Sequence, residues 1–212
     1  MSTPKPEFIT FTGMDDRTDL TRADKLAARY PIEWGILMSD YTQDARFPSN
    51  QAIAEIADIT GRKSAHLCGD FATIISSCGT IPSSVTPVEK FQRIQVNGLK
   101  ARTKTLMQFA AKADIDVIVQ TRGQAFNTTL PCFELFDCSG GRGRFPEIVP
   151  PLPGEKTLVG YSGGMGPESV TDYLKLITGS GRFWIDMEQR VRTGGWFDLD
   201  LVERVCQQVF DS

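Results

Sequence analysis

Short apolar runs alternate along this chain with longer amphipathic segments, a pattern that predicts alternating strands and helices. Eight runs have strand character: Phe8–Thr12, Glu33–Met38, Lys63–Cys68, Arg93–Val96, Ile115–Gln120, Phe133–Asp137, Thr157–Tyr161 and Phe183–Met187. Apolar residues at helical spacing predict helices at Thr18–Tyr30, Asn50–Ile59, Val85–Gln92, Leu99–Ala113, Pro167–Ile177 and Asp198–Phe210, the last with Asp198 as its N-cap. One helical turn is predicted near Ala125–Leu130, and Gly69–Ile81 is predicted to be irregular.

The order of these elements predicts an α/β fold, a (β/α)8 TIM barrel. Parallel strands need crossover connections, and eight strands joined in this way close into a barrel. We expect a single TIM-barrel domain over residues 1–212. An open doubly wound sheet shares the same alternation, but it is less favoured because no GxGxxG follows the first strand.

Composition and charge narrow the classes of partner. The net charge of −3 provides no attraction to nucleic acid or to a membrane surface, and no apolar run approaches the length of a membrane span. The N-terminal MSTPKPEF lacks the apolar region of a signal peptide, and the five cysteines form no CxxC pair. We therefore expect free thiols, a cytoplasmic location, and a monomer or homodimer with neither nucleic acid nor membrane as partner.

In a TIM barrel the chemistry lies at the C-terminal ends of the strands. The candidate site residues there are Thr12, Arg46, Asn97, Asp137, Gly163, Gly164, Asp186, Glu188 and Arg190. Among them, Asp137 closes the apolar strand FELFD, where partial desolvation suits a carboxyl group to act as a general acid. The alternative for Asp137 is a helix cap or a solvated loop residue.

Gly163 and Gly164 follow the seventh strand, a position at which phosphate sites recur in barrels because the backbone can approach an anion. A tight turn between strand and helix is the alternative. Arg46 lies in the long loop after the second strand and could bind an anion through a bidentate contact, although a surface arginine is the commoner case.

The segment His66-x-Cys68-x-Asp70 places three polar residues on one face of a strand. Three ligands on one strand make a poor tetrahedral set, so a packed and hydrogen-bonded histidine is the favoured interpretation. We expect no metal and no cofactor.

Five segments together carry a resemblance to a known family. They are Thr12-Gly13, DARFPSNQA from Asp44, FDCSGGRGRFPEI from Phe136, YSGGMGPESV from Tyr161, and IDMEQRVRTGGWFDLDLVERV from Ile185. Taken in order, they resemble the rim segments of phosphoribosylanthranilate isomerase, a barrel enzyme of tryptophan biosynthesis. The resemblance covers nearly the whole chain.

The resemblance implies a ribulose-phosphate-binding type of barrel and an Amadori rearrangement without cofactor. It implies that Asp137 is the acid that protonates the ring oxygen, that Arg46 holds a carboxylate, and that Gly163-Gly164 bind phosphate. Thr12 stands where the family has a cysteine base, and a threonine hydroxyl needs a partner to become a base. Asn97-Gly98 and Met187–Arg190 also depart from the family's His-Gly and Ser-Ser-Gly.

The sequence therefore predicts an isomerase of phosphoribosyl amines or a closely related enzyme of small phosphorylated substrates. For a sister activity, Asp137, Asp186 or Glu188 would supply acid–base groups, and Arg46, Arg122 or Arg190 would hold the anion. The alternative is a barrel without turnover that binds a small anionic metabolite.

Overall fold

A computed structural model describes residues 3–40, 44–80, 90–98 and 103–211. Its core is a closed barrel of eight parallel strands that neighbour one another in chain order. The strands are β1 (Ile9–Thr12), β2 (Ile32–Met38), β3 (Arg62–Leu67), β4 (Arg93–Val96), β5 (Asp116–Thr121), β6 (Phe133–Asp137), β7 (Gly154–Ser162) and β8 (Gly181–Met187). The ring closes where Ile9 of β1 pairs with Ile185 of β8. The predicted TIM barrel is confirmed.

Six helices accompany the barrel among the described residues. They are α1 (Leu20–Arg29), α2 (Asn50–Asp58), α3 (Gly69–Cys78), α4 (Thr103–Ala113), α5 (Val170–Leu176) and α6 (Leu199–Phe210). A short antiparallel pair, β9 (Arg192–Thr193) and β10 (Trp196–Phe197), and a 3₁₀ turn at Gln189–Val191 follow β8. Within the described ranges, no helix has the length and apolar character needed to cross a membrane.

Helix starts follow from capping residues that the sequence supplies. Asp198 accepts hydrogen bonds from the backbone N–H groups of Asp200 and Leu201, as predicted, so the first turn of α6 is satisfied. Asp19 and Ser49 cap α1 and α2 in the same way.

The segment Gly69–Ile81 was predicted to be irregular, but most of it forms α3. Its apolar run and paired serines lack clear helical spacing. Burial of Ile75 and a left-handed Gly79 at the C-cap (φ 66°) define the helix in the fold. Tertiary packing has therefore overridden a weak local signal.

Most other elements lie within two residues of their predicted bounds, and the larger differences are these. α5 begins at Val170 rather than at Pro167, and β7 begins at Gly154. The predicted turn of helix near Ala125–Leu130 is absent: β5 and β6 are joined by turns, and β6 and β7 by a long loop, residues 138–153. Most of the predicted helix Val85–Gln92 lies outside the described residues, as does the start of Leu99–Ala113.

The lower half of the barrel interior, toward the N-terminal ends of the strands, contains an apolar cluster and a buried ion pair. Phe8, Ile118, Leu135 and Trp184 form a separate buried cluster toward the N-terminal ends of the strands. Gly160 makes room for this cluster, because a Cβ there would lie 2.4 Å from the Trp184 ring. The cluster fills the barrel interior beneath the C-terminal ends of the strands.

A buried ion pair completes the lower half. Arg93 donates through Nε to Glu33 at 2.7 Å, and Thr10 donates to the same carboxylate at 2.9 Å. Burial alone would raise the pKa of Glu33, but the charge and hydrogen bonds of Arg93 more than offset it and lower the pKa. Arg93 also lies over the Trp184 ring, 4.4 Å from its centroid.

Candidate active site

The C-terminal ends of the strands surround a polar cavity of about 80 Å³, with Leu135 at its base. All of the predicted site residues except Arg46 line it: Thr12, Asn97, Asp137, Gly163, Gly164, Asp186, Glu188 and Arg190. His66, Gln95, Gln120 and Ser162 line it as well. A cavity of this size holds a few water molecules or one small group, whereas sites for whole ligands usually span about 300–1,000 Å³.

Thr12 and Asp186 meet inside the cavity across the β1–β8 seam. The Thr12 hydroxyl donates a hydrogen bond to Asp186 Oδ1 at 2.7 Å, and both residues are buried. Gly35 on β2 permits this approach, because a Cβ there would lie 2.4 Å from Thr12 Oγ1. Thr12, which stands at the position of the family's cysteine, is therefore hydrogen-bonded to a carboxyl group.

Burial raises the pKa of Asp186 to about 8, against the smaller opposing effect of the Thr12 hydrogen bond. The nearby charge of Glu188 contributes to this rise. Oδ1 accepts the threonine hydrogen, so Oδ2 is the oxygen that can carry the proton of the neutral acid. Asp186 is therefore a carboxyl group that exchanges a proton near neutral pH.

His66 lies beside this pair and is neutral. Burial lowers its pKa to about 4. Its Nε2 lies 3.0 Å from the Ser64 hydroxyl, and its Nδ1 lies 3.5 Å from Thr12 Oγ1. The only hydrogen of the Thr12 hydroxyl is directed at Asp186, so Nδ1–H is the donor toward Thr12 and Nε2 accepts from Ser64. The predicted packed, hydrogen-bonded histidine is confirmed.

Asp137 closes β6 and faces the same cavity. Its Oδ1 accepts from the N–H and hydroxyl of Ser139 and from the N–H of Gly140, and its Oδ2 accepts from the N–H of Gly141 at 2.7 Å. These bonds hold the start of the 138–153 loop against the strand end. Oδ2 accepts a single bond, so it has a lone pair left for a further donor.

Gly163 and Gly164 lie where the loop after β6 crosses the end of β7. A Cβ on Gly163 would lie 2.9 Å from the Arg144 carbonyl oxygen, and one on Gly164 would lie 2.6 Å from the Phe145 nitrogen. Both glycines also have positive φ, 112° and 69°. The close passage of this loop accounts for both glycines, and phosphate binding by them stays a prediction.

Arg46 reaches the rim of the cavity through Glu188. Its guanidinium lies 2.7 Å from Glu188 and 2.7 Å from Asp44. The Asp44 contact raises the pKa of Arg46, and burial raises that of Glu188 against the opposing charge of Arg46. Glu188 therefore forms its ion pair with Arg46 rather than with Arg192, which is closer along the chain.

Arg192 instead contacts the loop that follows β1, where it forms an ion pair with Asp15 at 3.2 Å and donates a hydrogen bond to the carbonyl of Gly13. Arg190 lines the cavity, and its Cβ lies against Gly166, where an added methyl would come within 2.4 Å. Arg190 is the one predicted cation with a place directly on the cavity wall.

An amide chain along β4 was missed by the sequence interpretation, which singled out only Asn97. Asn97 donates to Cys68 Sγ at 3.0 Å and accepts from Gln95 Nε2 at 2.9 Å. The alternation of Arg93, Gln95 and Asn97 was the available signal, because every second residue of a strand faces the same side.

Among the residues that the structure describes, no group of three or more histidine, cysteine or acidic side chains is arranged to hold a metal ion. β3 ends at Leu67 and Asp70 belongs to α3, so the His66-x-Cys68-x-Asp70 segment does not continue as one strand face. What the cavity offers chemically is three carboxyl groups, hydroxyls, amides, a neutral imidazole and the guanidinium of Arg190.

Comparisons with known proteins agree with the architecture. No protein-family model matches the chain. No curated protein matches it by sequence either. Among solved structures, the chain is similar to phosphoribosyl anthranilate isomerase from Thermotoga maritima, with a TM-score of 0.64 and 15% identity over 97% of this chain and 100% of that one. At this identity the likeness establishes the fold: the protein is a closed eight-stranded α/β barrel of the kind seen in that isomerase.

Proposed function

We propose that this barrel is an acid–base isomerase that converts a phosphoribosyl amine, or a closely related small phosphorylated substrate, from its aldose to its ketose form. The observation that carries the proposal is the convergence of Asp137 and Asp186 on one cavity. Ser162 pairs with Asp137 on one side and with Asp186 on the other, so the two acids lie two strands apart in one row. At about 5 Å per strand, their Cα atoms are separated by roughly 10 Å.

Asp186 supplies the base that Thr12 cannot. It contacts the residue at the cysteine position directly, and a pKa of about 8 makes its carboxylate a stronger base than an ordinary aspartate. Thr12 then orients the carboxyl group and stabilises its charged form. Asp137 keeps the acid role that the resemblance implies.

The reaction proceeds in two proton transfers. Asp137 protonates the ring oxygen of the sugar, the C1′–O bond breaks, and the amine nitrogen lone pair forms the C1′=N bond of a protonated imine. Asp186 then takes the proton from C2′, and the C–H electron pair gives an enamine with a hydroxyl on C2′. Tautomerisation of this enol to the ketone completes the isomerisation, and no electron is gained or lost.

Arg46 and Arg190 are the proposed anion contacts at the rim, with the amides of Gly163 and Gly164 for the phosphate. The substrate would have to displace the Arg144–Phe145 backbone from these glycines and Glu188 from Arg46, since both now fill that space. A cavity of about 80 Å³ would have to enlarge in the same step.

The test is growth of a tryptophan auxotroph that lacks the isomerase, together with turnover by the purified protein. Wild-type protein should restore growth, and Asp186→Asn and Asp137→Asn should each lower turnover about 10²–10⁴-fold. Asp172→Asn, which alters an exposed pair with Lys175, is the matched control and should act like wild type. Turnover at the wild-type rate in both Asp186→Asn and Asp137→Asn would refute the assignment of these residues as base and acid.

A second candidate is a metabolite-binding barrel without turnover. Two observations favour it: the cavity is small, and Glu188 already forms an ion pair with Arg46. In both respects the site is filled by the protein's own side chains. Binding of sugar phosphates with no turnover on any aldose–ketose pair would establish this function instead.

A further inference from the structure

The cavity contains a buried acceptor that no protein group satisfies. Gln95 is 4% exposed, and its Oε1 has no hydrogen-bond partner. Three other buried side-chain atoms among the described residues share this condition, on Trp34, Arg93 and Arg192, but none of those residues lines the cavity. An unpaired buried acceptor is costly, so its presence on a cavity wall indicates a partner from outside the chain.

The direction of the amide chain defines what that partner must be. Asn97 directs its Nδ2 to Cys68, which leaves Asn97 Oδ1 to accept from Gln95 Nε2. Gln95 therefore presents its oxygen as the open end of the chain. An oxygen that can only accept requires a hydroxyl or an N–H, and it repels the acceptor-only oxygens of a phosphate monoester dianion or of a carboxylate.

The electrostatics of the deep cavity agree with a neutral donor. His66 is neutral because burial lowers its pKa to about 4, and burial raises the pKa of Asp186 to about 8, so it is mostly protonated at pH 7. The cations of the cavity lie at its rim, where Arg190 is on the wall and Arg46 holds Glu188, and the buried Arg93 below the cavity is neutralised by its pair with Glu33. Anions are thus favoured at the rim and neutral groups in the interior.

We infer that Gln95 is a specificity-determining residue whose Oε1 accepts a hydrogen bond from a hydroxyl of a sugar-derived ligand inside the barrel. The inference rests on the proposed function only for the class of ligand. The available volume, about 80 Å³, suits a hydroxyl-bearing carbon and excludes a phosphate group together with its hydration.

Calorimetric titration with D-ribose 5-phosphate, its 2-deoxy and 3-deoxy analogues, and inorganic phosphate tests this. Wild-type protein should bind ribose 5-phosphate more tightly than at least one deoxy analogue by about 5- to 150-fold, the effect of leaving one buried acceptor unpaired. Gln95→Met, which keeps the length and removes the acceptor, should abolish this preference while leaving the affinity for inorganic phosphate unchanged. Gln51→Met on the exposed face of α2 is the matched control.

Thermal unfolding separates this role from a structural one. Gln95→Met removes an unpaired acceptor but also the Nε2 donor to Asn97, so if Gln95 serves the ligand the unfolding midpoint should fall by no more than the loss of that one hydrogen bond requires; a structural glutamine would give a larger fall. Equal affinity of wild-type protein for all three sugars, affinity no greater than for phosphate, or an unchanged preference in Gln95→Met would each overturn the inference. A preference for ribose 5-phosphate over a deoxy analogue without isomerase turnover would support the role of Gln95 and would refute only the proposed reaction.

Discussion

The hydroxyl of Thr12 on β1 donates a hydrogen bond to the carboxyl group of Asp186 on β8, over 2.7 Å and away from solvent. Residue 12 is where the resemblance places a base, and residue 186 is a carboxyl group with a pKa of about 8. Burial makes residue 186 a stronger proton acceptor than an ordinary aspartate, and the Thr12 hydroxyl orients its carboxyl group. The first two predictions address this pair.

Asp186→Asn should change how stability depends on pH. The folded pKa of Asp186 is about 8, above its ordinary value of 3.8, so its contribution is complete below pH 4 and is lost as the pH rises through 8. Between pH 6.5 and 8 the folded protein holds a proton that the unfolded chain has released. Its free energy of unfolding should therefore fall with rising pH by on the order of 1 kcal/mol per unit, and the asparagine variant should lack this slope.

Denaturant unfolding at several pH values measures this difference. His66, whose folded pKa of about 4 lies below its ordinary value of 6.5, has an opposite effect centred below this window, and that effect is the same in both proteins. Asp172→Asn, with an exposed carboxylate, should retain the wild-type slope. Parallel curves for wild type and Asp186→Asn would show that Asp186 is ionised in the folded protein.

Thr12→Val should raise the pKa of Asp186, because the hydroxyl that lowers it is replaced by a methyl group of similar volume. The carboxyl ¹³C shift, followed by NMR against pH, reports the midpoint directly. The rising limb of a pH–rate profile should move to higher pH by the same amount if Asp186 is the base.

Thr10→Val is the matched control for this prediction. It removes a hydroxyl from the same strand, but that hydroxyl donates to Glu33 in the lower half of the barrel. The Asp186 midpoint should stay where it is in this variant. A shift of equal size in both variants would mean that the effect is not carried by the Thr12 hydrogen bond.

Gly164→Ala should destabilise the protein more than its backbone angle alone requires. A methyl there would collide with the Phe145 nitrogen at 2.6 Å, and the residue has φ 69°. Gly194 has a similar φ of 58° with nothing within 4 Å, so Gly194→Ala isolates the left-handed cost of about 1–2 kcal/mol. Gly164→Ala should cost roughly 2–5 kcal/mol, the sum of that term and overpacking.

Equilibrium unfolding of both alanine variants decides between two roles for the glycines. Equal losses of stability at Gly164 and Gly194 would show that the 138–153 loop does not pack on β7 as described. The space above Gly164 would then be free for a phosphate.

Glu188→Gln should increase the affinity of the rim for a carboxylate. Glu188 holds the guanidinium of Arg46 at 2.7 Å, so an incoming carboxylate must compete with it. Removing that charge should strengthen benzoate binding about two- to tenfold, since partly exposed ion pairs contribute on the order of 1 kcal/mol.

Titration with benzoate measures the effect, and Glu168→Gln serves as control. Glu168 forms a pair of the same length with Arg204 on the outer surface. Unchanged affinity in Glu188→Gln would remove Arg46 from the proposed anion site. An equal increase in benzoate affinity in Glu168→Gln would show that the effect comes from the change in net charge.

Much of the architecture could be predicted because strand and helix periodicity is a local property. The eight strands were each recognisable, and their ends located residues such as Thr12, Asp137 and Asp186, since parallel strands bring their C-terminal ends to one face. α3 could not be predicted, because its helical state depends on burial of Ile75 rather than on spacing.

The chemistry of the cavity was harder to predict from the sequence. Glu188 pairs with Arg46 across the barrel mouth, 142 positions away, and no local pattern identifies that partner. The glycines after β7 looked like an anion site, but the loop before β7 passes over them, and only the folded path of that loop reveals the contact.

The sequence by itself determined which residues are polar at the strand ends and that eight strands close on one another, because alternation and turn chemistry act over a few residues. The tertiary structure alone decided that Asp186 holds a proton near neutral pH, that His66 does not, and that Gln95 keeps an open acceptor. These properties come from desolvation and from partners distant in the chain, and both exist only once the barrel has closed.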